Sequence, residues 1–333
     1  MGPMAFGDLA QNFLLKRSGV RLNSDLARLS NELATGMKSR PGANATNDVG
    51  GIAGIDGSLA KLDAWKTATA EARMTAGAMQ AALGRIGNEM TGLQKQLAVT
   101  ENQSDGPAIA TVARAGRAAF AAIVGTLNTK VGGVAVFAGI DTDGPALADA
   151  DTILAAIEAD IATIPDPADK ARRVEEWFAP APVGRFDSGA YAGSTTGKAP
   201  LNLSPDDTVP LDVRADAPEL RRAMAATARL ALAAPPAAPA TAAAMMKGSL
   251  ANLVGAIDGT TGLQAKLGIV EAKIGAAELR NDTERTALMQ ARIDLAGADP
   301  YDTAVRLQQT EVQLETLYAM TARMSRLSLV NYL

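Results

Sequence analysis

Near the C-terminus, Leu263, Leu267, Val270, Ile274, Ala277, Asn281, Glu284, Leu288, Ala291 and Leu295 alternate in steps of four and three without a slip. A stripe of that period on one helix face requires a partner helix along its length. An N-terminal run, Leu22, Leu26, Leu29 and Leu33, keeps the same spacing. The two ends of the chain are therefore suited to each other, or to further copies of themselves. That pattern points to assembly rather than catalysis.

Composition narrows the reading further. The chain of 333 residues is 47% hydrophobic but only 4% aromatic, so its core must be built mainly from Ala, Leu, Ile, Val and Met. Small side chains let helices approach closely, which suits a long bundle. There is no Cys and no His. Thiol nucleophiles, imidazole bases, disulfides and nearly all zinc or copper sites are thereby removed, and no cofactor or metal is expected. The net charge is -4 with both signs interspersed, which offers no basic stripe for nucleic acid. We expect no membrane span, and Met1 to Arg17 lacks the apolar stretch of a cleavable signal peptide.

Along the chain, Phe6 to Ala34 reads as a helix that Gly36 stops, followed by a connector from Arg40 to Gly57. Helices are predicted over Ser58–Glu101 and Ala108–Thr129, and Gly132–Gly139 reads as a strand or tight hairpin. Residues 141–214 are mixed, with helices near 150–163 and 167–178; Asp166 is placed as N-cap and Pro167 as the first helical residue. A helix from Leu220 to Leu232 is broken by Pro235-Pro236 and resumes near Thr241. A turn is expected at Gly259–Gly262, after which the opening stripe runs to Ala296. Asp299-Pro300 then caps a last helix ending near Leu329.

The fold class that follows is mainly α. A long antiparallel, coiled-coil-like bundle uses both chain ends, and a small α+β insert occupies the middle. Residues 263–296 read as an intrachain strut; the outermost helices read as the intermolecular surface. Asn281 and Glu284 are either register-fixing polar residues or a solvated patch. Gly193-Ser194-Thr195-Thr196-Gly197-Lys198-Ala199 has three residues between its glycines and Ala after the Lys, so it is not a phosphate loop. The adjacent acids Glu175-Glu176 and Asp206-Asp207 point different ways and make no acid–base pair. No catalytic residue is assigned.

Several segments resemble one family. Leu29-Ser30-Asn31-Glu32-Leu33-Ala34-Thr35-Gly36 is similar to the pattern that closes the first helix of bacterial flagellins and their relatives. Val136-Phe137-Ala138-Gly139 resembles the turn where that family leaves its bundle, and Phe186 with Tyr191-Ala192-Gly193 resembles an outer-domain pattern. Asp302 to Ala319, with Leu327-Ser328-Leu329-Val330-Asn331-Tyr332-Leu333, resembles the C-terminal helix; the closing residues are more similar to the hook–filament junction branch than to filament flagellin. The connector Ser39-Arg40-Pro41-Gly42-Ala43-Asn44 departs from the family's usual one, and residues 141–214 carry almost none of the resemblance.

The resemblance implies a structural subunit of the bacterial flagellum, secreted by type III export without a cleavable signal peptide and located outside the cell. It implies self-association in a helical or ring assembly, contact with hook-associated protein 1 and filament flagellin, and an export chaperone while unfolded. The filament subunit itself is the alternative. It divides the chain into an inner coiled coil (1–40 with 300–333), a helical bundle (41–140 with 215–299) and an outer insert (141–214). The expected assembly interface comprises Leu9, Phe13, Leu22, Leu26, Leu29 and Leu33 at one end. At the other it comprises Leu307, Leu314, Leu317, Met324, Leu327, Leu329, Tyr332 and Leu333.

Overall fold

The computed structural model describes residues 4–39, 46–100, 106–205, 207–235 and 237–330. The described residues are mainly helical, as the periodicity requires: α1 (Met4–Thr35), α2 (Thr46–Thr100), α3 (Gly106–Leu127), α4 (Ala150–Ala162), α5 (Pro167–Trp177), α6 (Phe186–Gly189), α7 (Pro218–Ala231), α8 (Pro239–Met246), α9 (Ser249–Ala296) and α10 (Pro300–Val330). Two antiparallel hairpins complete the fold. β1 (Lys130–Val131) pairs with β2 (Val134–Ala135), and β3 (Leu201–Asn202) pairs with β4 (Thr208–Val209). The chain forms two compact units, Met1–Asp63 with Asp282–Leu333, and Ala64–Asn281.

In the second unit α3 is central. It packs closely on α7 and also against α4 and α8. Gly116 permits the close approach, since a Cβ there would lie 2.8 Å from Leu230 Cβ and 2.9 Å from the Ala231 nitrogen. α3 is long and apolar enough by composition to cross a membrane, but Val112, Phe120, Ile123, Val124 and Leu127 are buried in the core of this unit. From α2, Met79, Leu83, Ile86, Met90, Leu93 and Leu97 enter the same core, and from α9 Leu253, Leu263, Leu267 and Ile274. Leu147, Ile153, Leu154, Ile157, Trp177, Phe178 and Phe186, all from the middle of the chain, belong to it too. Asn128 clamps the entry to this middle segment, donating to the Leu147 carbonyl at 3.0 Å and accepting from the Leu147 N–H at 2.8 Å.

Local chemistry accounts for most boundaries. Gly132 and Gly133 have φ of +59° and +85°, which closes the two-residue β1–β2 hairpin without a Cβ penalty. Asp166 accepts from the N–H groups of Ala168 and Asp169 at 2.7 and 3.1 Å, with Pro167 in the first turn of α5. Gly36, at φ +67°, ends α1 by donating to the Glu32 carbonyl at 2.9 Å.

Three local expectations change. Of the predicted connector, residues 46–57 are helical. Leu295 lies 3.9 Å from a Cβ placed on Gly51, and Arg292 pairs with Asp56 at 2.7 Å, so tertiary packing overrides the glycine content. No turn occurs at Gly259–Gly262; α9 runs through it. Glu219 of α7 packs 3.4 Å from a Cβ placed on Gly259, while Thr260 donates to the Ala256 carbonyl at 2.9 Å. The break falls instead at Gly248, whose φ is +76°. Finally, the α9 stripe slips. Its buried face follows the predicted positions through Asn281, but Glu284 is exposed and Arg285 takes the inward place, pairing with Asp63 of α2 at 2.9 Å. Ala296 rather than Leu295 is buried at the far end. Consecutive steps of four from Ala277 to Asn281 to Arg285 are a stutter in the heptad.

Candidate assembly interface

In the first unit, α1 and α10 pack antiparallel along their lengths. The register is fixed at two levels. Met37 forms a β-bridge with Gly297, supported by Lys38 N–H to the Ala296 carbonyl (2.8 Å) and Ala298 N–H to the Gly36 carbonyl (3.0 Å). Toward the other end, a Cβ on Gly19 would lie 3.3 Å from Leu317 Cδ2. Asp299 starts α10 as predicted, accepting from the N–H groups of Tyr301 and Asp302 at 2.8 and 3.2 Å.

The inward face of α10 reads Thr303, Leu307, Thr310, Leu314, Leu317 and Met324, a heptad stripe with buried threonines among half-buried apolar residues. Thr310 returns its hydroxyl to the Arg306 carbonyl at 2.8 Å, so it enters the seam without an orphaned donor. α1 answers with Leu15, Gly19, Leu22, Leu26 and Leu29, of which Leu29 is buried at 4% exposure.

At the next position the sequence pattern fails. Leu33 is exposed, and Glu32 is buried in its place. The Glu32 carboxylate accepts from the Ser39 N–H at 2.9 Å and from Arg28 at 3.2 Å. These bonds tie the chain after α1 back onto the helix. Arg28 also pairs with Asp25 at 3.1 Å, and its guanidinium pKa is raised by that bond foremost and by Glu32 as well.

The expected interface residues thus divide. Leu22, Leu26, Leu29, Leu307, Leu314, Leu317 and Met324 lie on the facing sides of the α1–α10 pair. Phe13 (65% exposed) and Leu33 face outward. Leu9, Leu327 and Leu329 lie within the helices, but their side chains fall outside the described residues, as do Tyr332 and Leu333 altogether. Sequence reasoning missed a second, exposed apolar set off the seam: Leu14 and Val20 on α1, and Tyr301, Val305, Val312, Tyr318 and Met320 on α10. A signal for it existed in the seven-residue spacings of Phe13 with Val20 and of Val305 with Val312. Among the described residues no group of three or more acidic side chains is placed to hold a metal.

The first unit thus pairs the two terminal helices and carries exposed apolar side chains on both. Residues 250–333 match the family described as bacterial flagellin C-terminal helical region. Over that region the chain is similar to the flagellin family. Its fold is similar to a solved structure described as a flagellar hook-associated protein from Vibrio parahaemolyticus. That match has a TM-score of 0.50 at 10% identity and covers 73% of this chain and 95% of the other. No curated protein matches the chain in sequence.

Two of the family-like patterns, far apart in sequence, meet in space. Gly193 sits where a Cβ would lie 2.8 Å from Ala138 Cα, and Ser194 N–H donates to the Ala138 carbonyl at 2.9 Å. Tyr191 closes the arrangement, donating its hydroxyl to the Ser194 carbonyl at 2.7 Å. Burial foremost, with the nearby Asp216 charge, pushes the Tyr191 phenol up to about 12.

Proposed function

We propose that this chain is the junction subunit between flagellar hook and filament, of the hook-associated protein 3 type. It is exported unfolded by the flagellar type III pathway and assembles outside the cell as a ring or short helical stack. The observation that carries the reading is the set of exposed apolar side chains on the α1–α10 pair. Val20 is 72% exposed, Tyr301 81% and Val312 57%. Apolar side chains gathered on two adjoining helices mark an interaction surface rather than scattered exposure. The intrachain seam consumes one face of each helix and leaves the other for neighbouring subunits.

In this reading the partners are further copies of the chain, hook-associated protein 1 on one side and filament flagellin on the other, with a chaperone before export. Residues 1–40 with 300–333 form the inner layer, 41–140 with 215–299 the surrounding bundle, and 141–214 the outward insert. The closing residues Leu327 to Leu333 and the likeness to a hook-associated fold support a junction role. The match to a flagellin helical region supports the second reading, a filament subunit. Copy number separates them, since filaments made mainly of this chain would establish the second.

The test is a chain lacking residues 327–333, and separately a Val20→Asp, Val312→Asp chain, expressed in cells that lack the native protein. Both should be secreted, yet fail to join filament to hook, so that flagellin is lost to the medium. A truncated or doubly substituted chain that still joins them would overturn the reading.

A further inference from the structure

We propose that a cleft between α5, α7 and α9 is a binding site for a carboxylate carried on a compact apolar body. The cavity holds about 670 Å³, within the range of small-ligand sites. Phe178, Pro180, Pro218, Ala225, Gly255 and Ala256 supply apolar walls. Two adjacent cations, Arg221 and Arg222, line it from the N-terminal half of α7, a helix whose N-terminus has no side-chain cap.

Arg221 is only 9% exposed. Its Nε donates to the Asp216 carbonyl at 2.7 Å, its Nη2 to Asp187 at 2.5 Å, and the guanidinium lies over the Phe186 ring at 4.7 Å from the centroid. Its Nη1 is buried with no hydrogen-bond partner. Such donors are nearly always paired, so this one points to an acceptor from outside the chain. The acids that line the cleft do not fill the role. Glu175 is held by Arg229 and accepts from Asn252 at 2.7 Å, and Asp216 is held by Arg214 at 2.9 Å. Arg222 is exposed and makes no ion pair among the described residues. The cleft therefore presents the unpaired Arg222 cation beside apolar walls, with the unspent Arg221 donor buried beneath its lining, the chemistry that a carboxylate on an apolar body satisfies.

The proposal is independent of the junction role. Titration of the full chain, in a Trp65→Phe background, follows the emission of Trp177, whose ring lies 5.1 Å from that of Phe178. Benzoate serves as a free acid and a capped Ala-Glu-Ala peptide as a protein-borne one. We expect at least one to bind saturably. A neutral analogue, benzamide or the Gln peptide, should bind roughly tenfold more weakly, and Arg222→Ala should weaken binding about fivefold. Gly255→Leu should abolish it, because a Cβ there meets nothing within 4 Å and the added side chain fills the cleft without unfolding the helix. Binding of benzoate alone assigns a free acid; binding of the peptide alone assigns an acidic side chain. The absence of saturable binding by either probe, or binding unchanged by Gly255→Leu, would overturn the site.

Discussion

Leu29 and Glu32 lie one turn apart at the base of α1 and are buried by different means. Leu29 is buried apolar surface in the α1–α10 seam, whereas Glu32 is buried because the Ser39 N–H and Arg28 satisfy its oxygens. Leu29→Ala should cost about 2–4 kcal/mol of the first unit's stability, read as faster hydrogen exchange across α1 while α3 and α7 keep their protection. Asn281 follows the logic of Glu32. It is 5% exposed and donates to the Leu203 carbonyl at 2.8 Å, so a polar residue sits in an apolar stripe with its hydrogen bond made. Asn281→Ala strands that carbonyl and should lower stability by roughly 1–3 kcal/mol in denaturant unfolding. Tyr191 gives a pH-dependent test. Its folded pKa is raised from 10.0 to about 12, so its contribution is complete below pH 10 and is lost as pH rises toward 12. Tyr191→Phe should flatten the stability profile over that window; an unchanged slope would show that the phenol is not the group titrating.

At the scale of elements, helices were legible wherever apolar period and end signals agreed. α5, with Asp166 and Pro167, and α10, with Asp299 and Pro300, start where their caps place them. Glycine misleads as punctuation in two helices. Gly51 and Gly259 stand inside helices, because Leu295 and Glu219 approach them from neighbouring elements. No local signal reports that, since the neighbours are distant in sequence. The slip in α9 was hidden for a related reason. Of the two readings open for Glu284, the solvated one holds, while the shift to Arg285 depends on its ion pair with Asp63, far away in sequence. The interface was half legible: the inner seam follows the leucines, while the exposed apolar set shows in Val and Tyr residues that the leucine spacing passes over. Gly116 offers an element-scale test. Gly116→Val drives a side chain into Leu230 and should destabilise the α3–α7 pair by about 1–3 kcal/mol, lowering the thermal midpoint by a few degrees.

For the whole molecule, folding and assembly draw on different surfaces. The second unit buries an aromatic cluster in which Trp177 and Phe178 pack edge to face at 5.1 Å, so its core needs no second copy. The first unit satisfies one face of each terminal helix internally and leaves apolar side chains of both helices exposed off that seam. We propose these exposed apolar side chains as the subunit contact in the flagellum. The chain has no cysteine, so a chain carrying both Val20→Cys and Val312→Cys, with Ile269→Cys as an exposed control, reports only introduced contacts. Mild oxidation of cell-attached flagella is the measurement. The account predicts interchain disulfides in chains that carry both Val20→Cys and Val312→Cys, with none in the dilute monomer and none at the control. Attached flagella in which those positions stay unlinked, or link no more than Ile269→Cys does, would contradict it.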